Sequence, residues 1–200
     1  MGRIAGIVVA AGGGRRIGGP EALLRQGDAL LVDSVCELAA EVGCAPLVVV
    51  LGAAANQVRT AARLTGATVV VDKAWGTGLG SSLRKGLEAL KDDEADAALV
   101  LTVDMPGVTV EAARRVALLP HPGALVCATY DGLRSYPMLL GRRHWAGVAT
   151  LAKSDVGARP YLLAHKDEIV DIACDAVADG NHLDNPDALT LYGLDRAKND

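Results

Sequence analysis

The sequence contains no phenylalanine, and aromatic residues make up only 3% of it. So few flat rings leave little platform for stacking the bases of single-stranded nucleic acid. The interior has to be built from Val, Leu, Ile and Ala instead. An excess of positive charge is missing as well: 20 Lys and Arg stand against 24 Asp and Glu, a net charge of -4 with a pI near 5.6. That balance speaks against a general nucleic-acid binder while leaving room for a local basic pocket and a small anionic ligand. Cysteines are few and scattered. Cys36, Cys44, Cys127 and Cys174 form no Cys-x-x-Cys pair and no zinc-type spacing with histidine, which reads as buried, reduced thiols in a cytoplasmic protein. No apolar run approaches the roughly 20 residues that span a bilayer, so no membrane partner is expected. The hydrophobic N-terminal stretch runs into Gly-Gly-Gly-Arg-Arg rather than a small-residue cleavage site, and is expected to stay in the fold.

What is present is a globular composition, half hydrophobic and 22% charged over 200 residues, which suits a single domain over residues 1–193 with a frayed tail over 194–200. Buried-type strands are expected over Ile4–Ala10, Pro46–Leu51, Thr68–Asp72, Ala97–Val103, Ala124–Thr129 and Glu168–Ile172. Helices are expected over Ala29–Val42 with Gly43 as its stop, 54–64, the segment after Ser81, and Thr109–Leu119 with Thr109 as N-cap. Strands apolar on both faces that alternate with helices imply an α/β fold, a mostly parallel sheet covered on both sides.

The opening strand ends in small residues and a glycine loop, Val9-Ala10-Ala11-Gly12-Gly13-Gly14-Arg15-Arg16. Small side chains let main-chain N–H groups approach an anion closely, and paired arginines add charged donors for phosphate oxygens. Gly18-Gly19-Pro20 rules out a dinucleotide fingerprint, and the lack of a following Gly-Lys-Ser/Thr rules out a P-loop. A second glycine-rich turn follows Asp72 and contains Gly80, Ser81 and Ser82. It suits either a polar ligand at a helix N-terminus or ordinary capping. Asp104 lies just past a buried strand, at the rim where open α/β sheets bind ligands, and is the first candidate metal ligand; a turn aspartate before proline is the plain alternative. Asp155 and Asn185 are both placed to cap a short helix.

These segments, in this order, resemble the MobA-like nucleotidyltransferases, nearest to the molybdenum cofactor cytidylyltransferases. Val9 to Glu21 is similar to the family's Leu-Ala-Ala/Gly-Gly-x-x-x-Arg-Met-Gly-x-x-Lys, Trp75 to Leu83 to its Trp-x-x-Gly segment, and Asp104-Met105-Pro106 to its Asp-x-Pro. Ser135-Tyr136-Pro137 stands where the family has Gly-His-Pro, Ser154 to Arg159 where it has Gly-Asp-x-Gly-Ala-Arg, and His182 to Asp187 where it has Asp-Ile-Asp-Thr-Pro-Glu/Asp. The resemblance implies a three-layer, Rossmann-like nucleotide-diphospho-sugar transferase (GT-A-like) fold. It implies transfer of a nucleoside monophosphate from an NTP to the terminal phosphate of molybdopterin cofactor, with release of pyrophosphate. Ala10-Ala11-Gly12 favours CTP over GTP, and the recipient molybdoenzyme or its maturation factor becomes a partner.

Residue by residue, the resemblance puts nucleotide on Val9 to Arg15, Asp72, Gly80, Ser81 and Ser82, and acceptor on Tyr136, Pro137 and Asp155. Mg²⁺ falls on Asp104 and Asp184, and catalysis on Arg16, Asp104 and the position of Glu21. That last residue departs from the pattern, since Glu21 replaces the family's phosphate-binding lysine. A carboxylate near a triphosphate repels it. Glu21 therefore turns away, or recruits another cation, or marks a protein that binds nucleotide or the finished cofactor without transferring anything. Another phosphorylated acceptor, such as a sugar phosphate or phospholactate, is a further reading.

Overall fold

The computed structural model describes residues 2–196. In chain order its elements are β1 (Ile4–Ala10), β2 (Leu24–Gln26), β3 (Ala29–Leu30), α1 (Leu31–Val42), β4 (Leu47–Leu51), α2 (Ala55–Ala61), β5 (Ala67–Val71), α3 (Leu79–Ala89), β6 (Ala97–Thr102), α4 (Val110–Val116), β7 (Leu125–Tyr130), β8 (Leu133–Gly141), α5 (Arg142–Leu151), α6 (Arg159–Ala164), β9 (Val170–Ala173), α7 (Asp187–Leu191) and β10 (Leu194–Arg196).

The continuous apolar runs become the middle of a seven-stranded sheet of order β5-β4-β1-β6-β8-β7-β9. Only β8 runs against its neighbours. β4 and β6 are buried along their whole length because α1 and α4 pack together on one face of the sheet and α3 and α5 on the other. α1 turns Val32, Val35, Cys36 and Ala39 inward at helical spacing, and α3 does the same with Leu83 and Leu87. Each fully buried Val or Leu contributes roughly 1.5–3 kcal/mol. This is the three-layer arrangement that the alternating pattern and the family resemblance both led one to expect.

Several boundaries differ from the sequence reading. Ala29 and Leu30 form β3 rather than the first turn of α1, pairing with Gln26 and Arg25. Gly43 caps α1 as expected, its N–H returning to Ala40 O at 2.9 Å. Thr109 caps α4 as expected, accepting from Ala112 N at 3.2 Å, but the helix stops at Val116 and leaves Leu118 and Leu119 exposed.

The expected frayed tail is corrected for residues 194–196. These form β10, which pairs antiparallel with β2; residues 197–200 lie outside the described part of the chain. A small second sheet, β10-β2-β3, results. Beneath it a separate apolar cluster joins Ile17 of the glycine loop to Leu24, Leu31, Leu183, Ala188 and Leu194. The C-terminal segment is thereby packed against the loop, and the Arg196 guanidinium donates to Ile17 O.

Candidate active site

β1 and β6 are neighbours with Val9 level with Thr102, and Val103 N donates to Val9 O at 3.1 Å. The glycine loop leaving β1 and Asp104 beyond β6 therefore emerge at one edge of the sheet, where parallel strands open a crevice. Both line a single cleft of about 540 Å³, enough for a nucleotide-sized ligand.

Among the described residues, no backbone N–H from Gly12 to Arg16 donates to another protein group. The loop is curled by Gly14, at φ +54°, whose carbonyl accepts from Ile17 N at 3.1 Å and Gly19 N at 3.0 Å. A side chain at Gly14 would meet Gly19 O at 1.7 Å, so only glycine fits. Arg15 and Arg16 line the cleft, are exposed, and make no ion pair among the described residues. Free amides and two uncommitted guanidiniums make this wall an anion cradle.

The opposite wall is acidic. Asp104 Oδ2 is hydrogen-bonded to His182 Nδ1 at 3.0 Å, and Leu183 N donates to Asp104 O at 2.8 Å, which ties the C-terminal segment to the end of β6. Asp104 sits deep in the cleft yet keeps 37% of its side chain open toward it. Burial pushes its carboxyl upward, but the hydrogen bond and charge of His182 outweigh that and hold it below the usual carboxylate range. His182 is correspondingly raised, chiefly by its bond to Asp104. Asp184 and Asp155 are exposed and also line the cleft.

Glu21 does not turn away. It faces into the cleft from the short turn after Pro20, with Oε2 lying 2.7 Å from where a Cβ on Gly12 would be. Burial pushes its carboxyl up, and the like charge of Asp104 adds to this against the pull of its own backbone N–H and of Arg16. Glu21 Oε2 is buried without a hydrogen-bond partner, and so is Thr102 Oγ1.

The donors on this side are carboxylates and a hydroxyl, the oxygen set that suits a hard divalent cation such as Mg²⁺. Among the described residues no three His, Cys, Asp or Glu side chains are gathered as a ready-made cage. Mg²⁺ characteristically takes one or two carboxylates and completes its shell with phosphate oxygens and water, so the residues fit that ion.

The family of MobA-like NTP transferase domains matches residues 6–169. The chain belongs to that family. A nicotine blue oxidoreductase of Paenarthrobacter nicotinovorans is 34% identical over 190 residues, covering 90% of this chain and 92% of that protein. The crystal structure of Rv0371c from Mycobacterium tuberculosis H37Rv superposes with a TM-score of 0.81 at 25% identity, over 96% of this chain and 97% of that one. Rv0371c has also been crystallised with manganese. A nucleotidyl transferase from Methanothermobacter shares the fold, with a TM-score of 0.80 at 18% identity over 96% of each chain.

Within this MobA-like domain the remaining candidate residues divide into two groups. Val9, Ala11, Gly12, Gly13, Ser82 and Tyr136 line the cleft with the residues already described. Ala10, Asp72, Gly80, Ser81 and Pro137 are not among the lining residues. Asp72 is 5% exposed and spends its carboxylate internally, accepting from Ala74 N at 2.8 Å, Ser81 Oγ at 2.5 Å and Ser82 Oγ at 2.9 Å. The two hydroxyls thus brace the turn instead of capping α3, which has no side-chain cap. Gly80 serves close packing: a Cβ there would lie 2.6 Å from Lys153 N.

Asp155 caps nothing, whereas Asn185 Oδ1 does accept from Ala188 N at 3.0 Å. Ala10 and Pro137 are buried behind the cleft wall.

Sequence reasoning passed over Trp75, Thr102 and His182 as site residues. Trp75 lies over the loop, its ring 3.0 Å from a Cβ position on Gly13. Thr102 carried a signal, being the polar residue in the otherwise apolar run Ala97–Val103.

Proposed function

We propose that this domain transfers CMP from CTP to the terminal phosphate of molybdopterin cofactor, releasing pyrophosphate, and that it acts in the cytoplasm with a molybdoenzyme or its maturation factor downstream. The observation that carries the nucleotidyl-transfer reading is the convergence of the unpaired Gly12–Arg16 amides, two free arginines and Asp104 on one cleft. The family match supports an NTP as donor. CTP is favoured by the resemblance of Ala10-Ala11-Gly12 to the cytidylyl branch, and the acceptor by the resemblance of the later segments.

In this reading the loop amides with Arg15 and Arg16 hold the triphosphate, and Tyr136 and Asp155 border the acceptor side of the cleft. Mg²⁺ held by Asp104 and Asp184 would supply neutralisation of phosphate charge. Fixing donor and acceptor in line and screening developing charge account for the rate without a covalent intermediate.

Glu21 favours a second reading, because a buried carboxylate beneath the loop opposes triphosphate binding unless a cation intervenes. The domain would then bind nucleotide or finished cofactor without transfer, or carry out a redox reaction as the name of its Paenarthrobacter relative suggests. Incubation with labelled CTP, GTP or UTP, Mg²⁺ and molybdopterin cofactor or other phosphorylated acceptors separates these. CMP transfer with pyrophosphate release supports the proposal. Transfer to a different acceptor replaces the substrate, tight binding without pyrophosphate supports a carrier, and, in a parallel incubation with nicotine blue and a reduced nicotinamide cofactor as two-electron donor, loss of the dye's absorbance matched by oxidation of that donor supports the redox role.

A further inference from the structure

We infer that Glu21, Asp104 and the Thr102 hydroxyl form an oxygen site that holds a divalent cation before any nucleotide arrives. The inference rests on the nucleotidyl-transfer reading of the cleft and assigns Glu21 a role within it. Among the described side chains, two buried polar atoms lack a hydrogen-bond partner, Glu21 Oε2 and Thr102 Oγ1. Both residues line this cleft, and Thr102 is 7% exposed. A buried oxygen left unpaired destabilises the fold, and a carboxylate does so most. Two such atoms at one place mark a position where something else supplies the missing interaction.

The geometry selects a cation over a proton-donating ligand. Glu21, Thr102 and Asp104 line the same cleft, with Thr102 the last residue of β6 and Asp104 two positions beyond it. Two carboxylates facing one cleft repel, and Arg16, which lines the same cleft, is exposed and makes no ion pair among the described residues. A hard divalent ion held by Glu21, Asp104 and the Thr102 hydroxyl would cancel the repulsion and satisfy the unpaired oxygens. This is the ion that the transfer reading places on Asp104, and the exposed Asp184 carboxylate, water and, later, phosphate oxygens would complete its shell. His182, bonded to Asp104 at 3.0 Å, fixes the direction of that carboxylate as an outer-shell partner does. Glu21 itself lies against Gly12 of the phosphate cradle. The departure from lysine then changes how positive charge reaches the phosphates rather than removing it.

The test is titration of the nucleotide-free full-length protein with Mn²⁺, followed by calorimetry and by the electron-spin signal of free Mn²⁺. One Mn²⁺ is expected to bind. Glu21→Gln, which keeps the side-chain shape, is expected to weaken it by at least about tenfold, as is Asp104→Asn. Melting curves without metal verify that both variants fold, and Mn²⁺ should raise the melting temperature of the parent but not of Glu21→Gln. If Asp104→Asn loses the ion while Glu21→Gln keeps it, the role of Glu21 is overturned and the Asp104 metal reading stands. If Mn²⁺ binds only once CTP is present, the preloaded site is overturned and the transfer reading stands. If Mn²⁺ binds neither with CTP nor without it, both fall.

Discussion

Asp72 offers the sharpest separation between a residue that holds a ligand and one that holds the structure. Truncation to alanine removes the acceptor of Ala74 N, Ser81 Oγ and Ser82 Oγ. The Ser81 hydroxyl has other acceptors in place, Gly78 O at 3.0 Å and Ala74 O at 3.1 Å. The Ser82 hydroxyl, 2% exposed as a residue, and the Ala74 N–H have none. Two orphaned donors cost about 1–3 kcal/mol each, and relief from burying a carboxylate returns part of that, so Asp72→Ala is expected to lose roughly 2–4 kcal/mol of stability. In urea that corresponds to a midpoint lower by about 1–2 M, read by circular dichroism and Trp fluorescence. Any loss of CTP affinity should accompany this weakening. A variant with an unchanged urea midpoint and a tenfold poorer CTP affinity would refute the internal role and return Asp72 to the ligand.

Three further expectations rest on separate parts of the fold. Ser154 occupies φ +45°, a conformation costly for a side-chain-bearing residue. Ser154→Gly should therefore stabilise the protein by about 0.5 kcal/mol and raise the melting temperature by about 1–2 °C; a lower melting temperature would contradict this. All four cysteines are buried, and burial pushes the thiols of Cys36, Cys44 and Cys127 up to about 12. Native protein at pH 8 should leave a thiol reagent such as DTNB unreacted, with four equivalents consumed in urea, and rapid native reaction would show the burial to be wrong. The Tyr192 hydroxyl, with Asn181 groups, holds the Asp179 carboxyl below its usual range. This stabilisation is complete above the unfolded value near 3.9 and disappears as pH falls through the lower folded value. Tyr192→Phe should move acid unfolding to higher pH, and an unchanged acid midpoint would exclude the link.

Much of the architecture follows from short stretches. The runs in β1 and β4 carry no polar side chain and β6 only Thr102 at its end, which suits strands covered on both faces, and Gly43 and Thr109 mark helix ends by local chemistry. The meeting of the glycine loop with Asp104 was also readable, since parallel neighbours expose their carboxyl ends at one edge. The direction in which a polar side chain points was not. Asp72 and Ser81 share a glycine-rich turn with the lining residues Trp75 and Ser82, yet their polar atoms turn inward on one another.

Local sequence by itself determined the parallel strands β1, β4, β5, β6, β7 and β9, where the phosphate-type loop lies and which carboxylate follows β6, whereas β2, β3, β8 and β10 were not legible in it; backbone periodicity and small-residue loops are encoded within a few neighbours. Only the tertiary structure decided that Glu21 faces the cleft, that His182 bonds Asp104 across 78 positions, and that Leu194–Arg196 closes a sheet. Each of those depends on a contact between distant segments, and a side chain takes its orientation from the partner that packing brings to it.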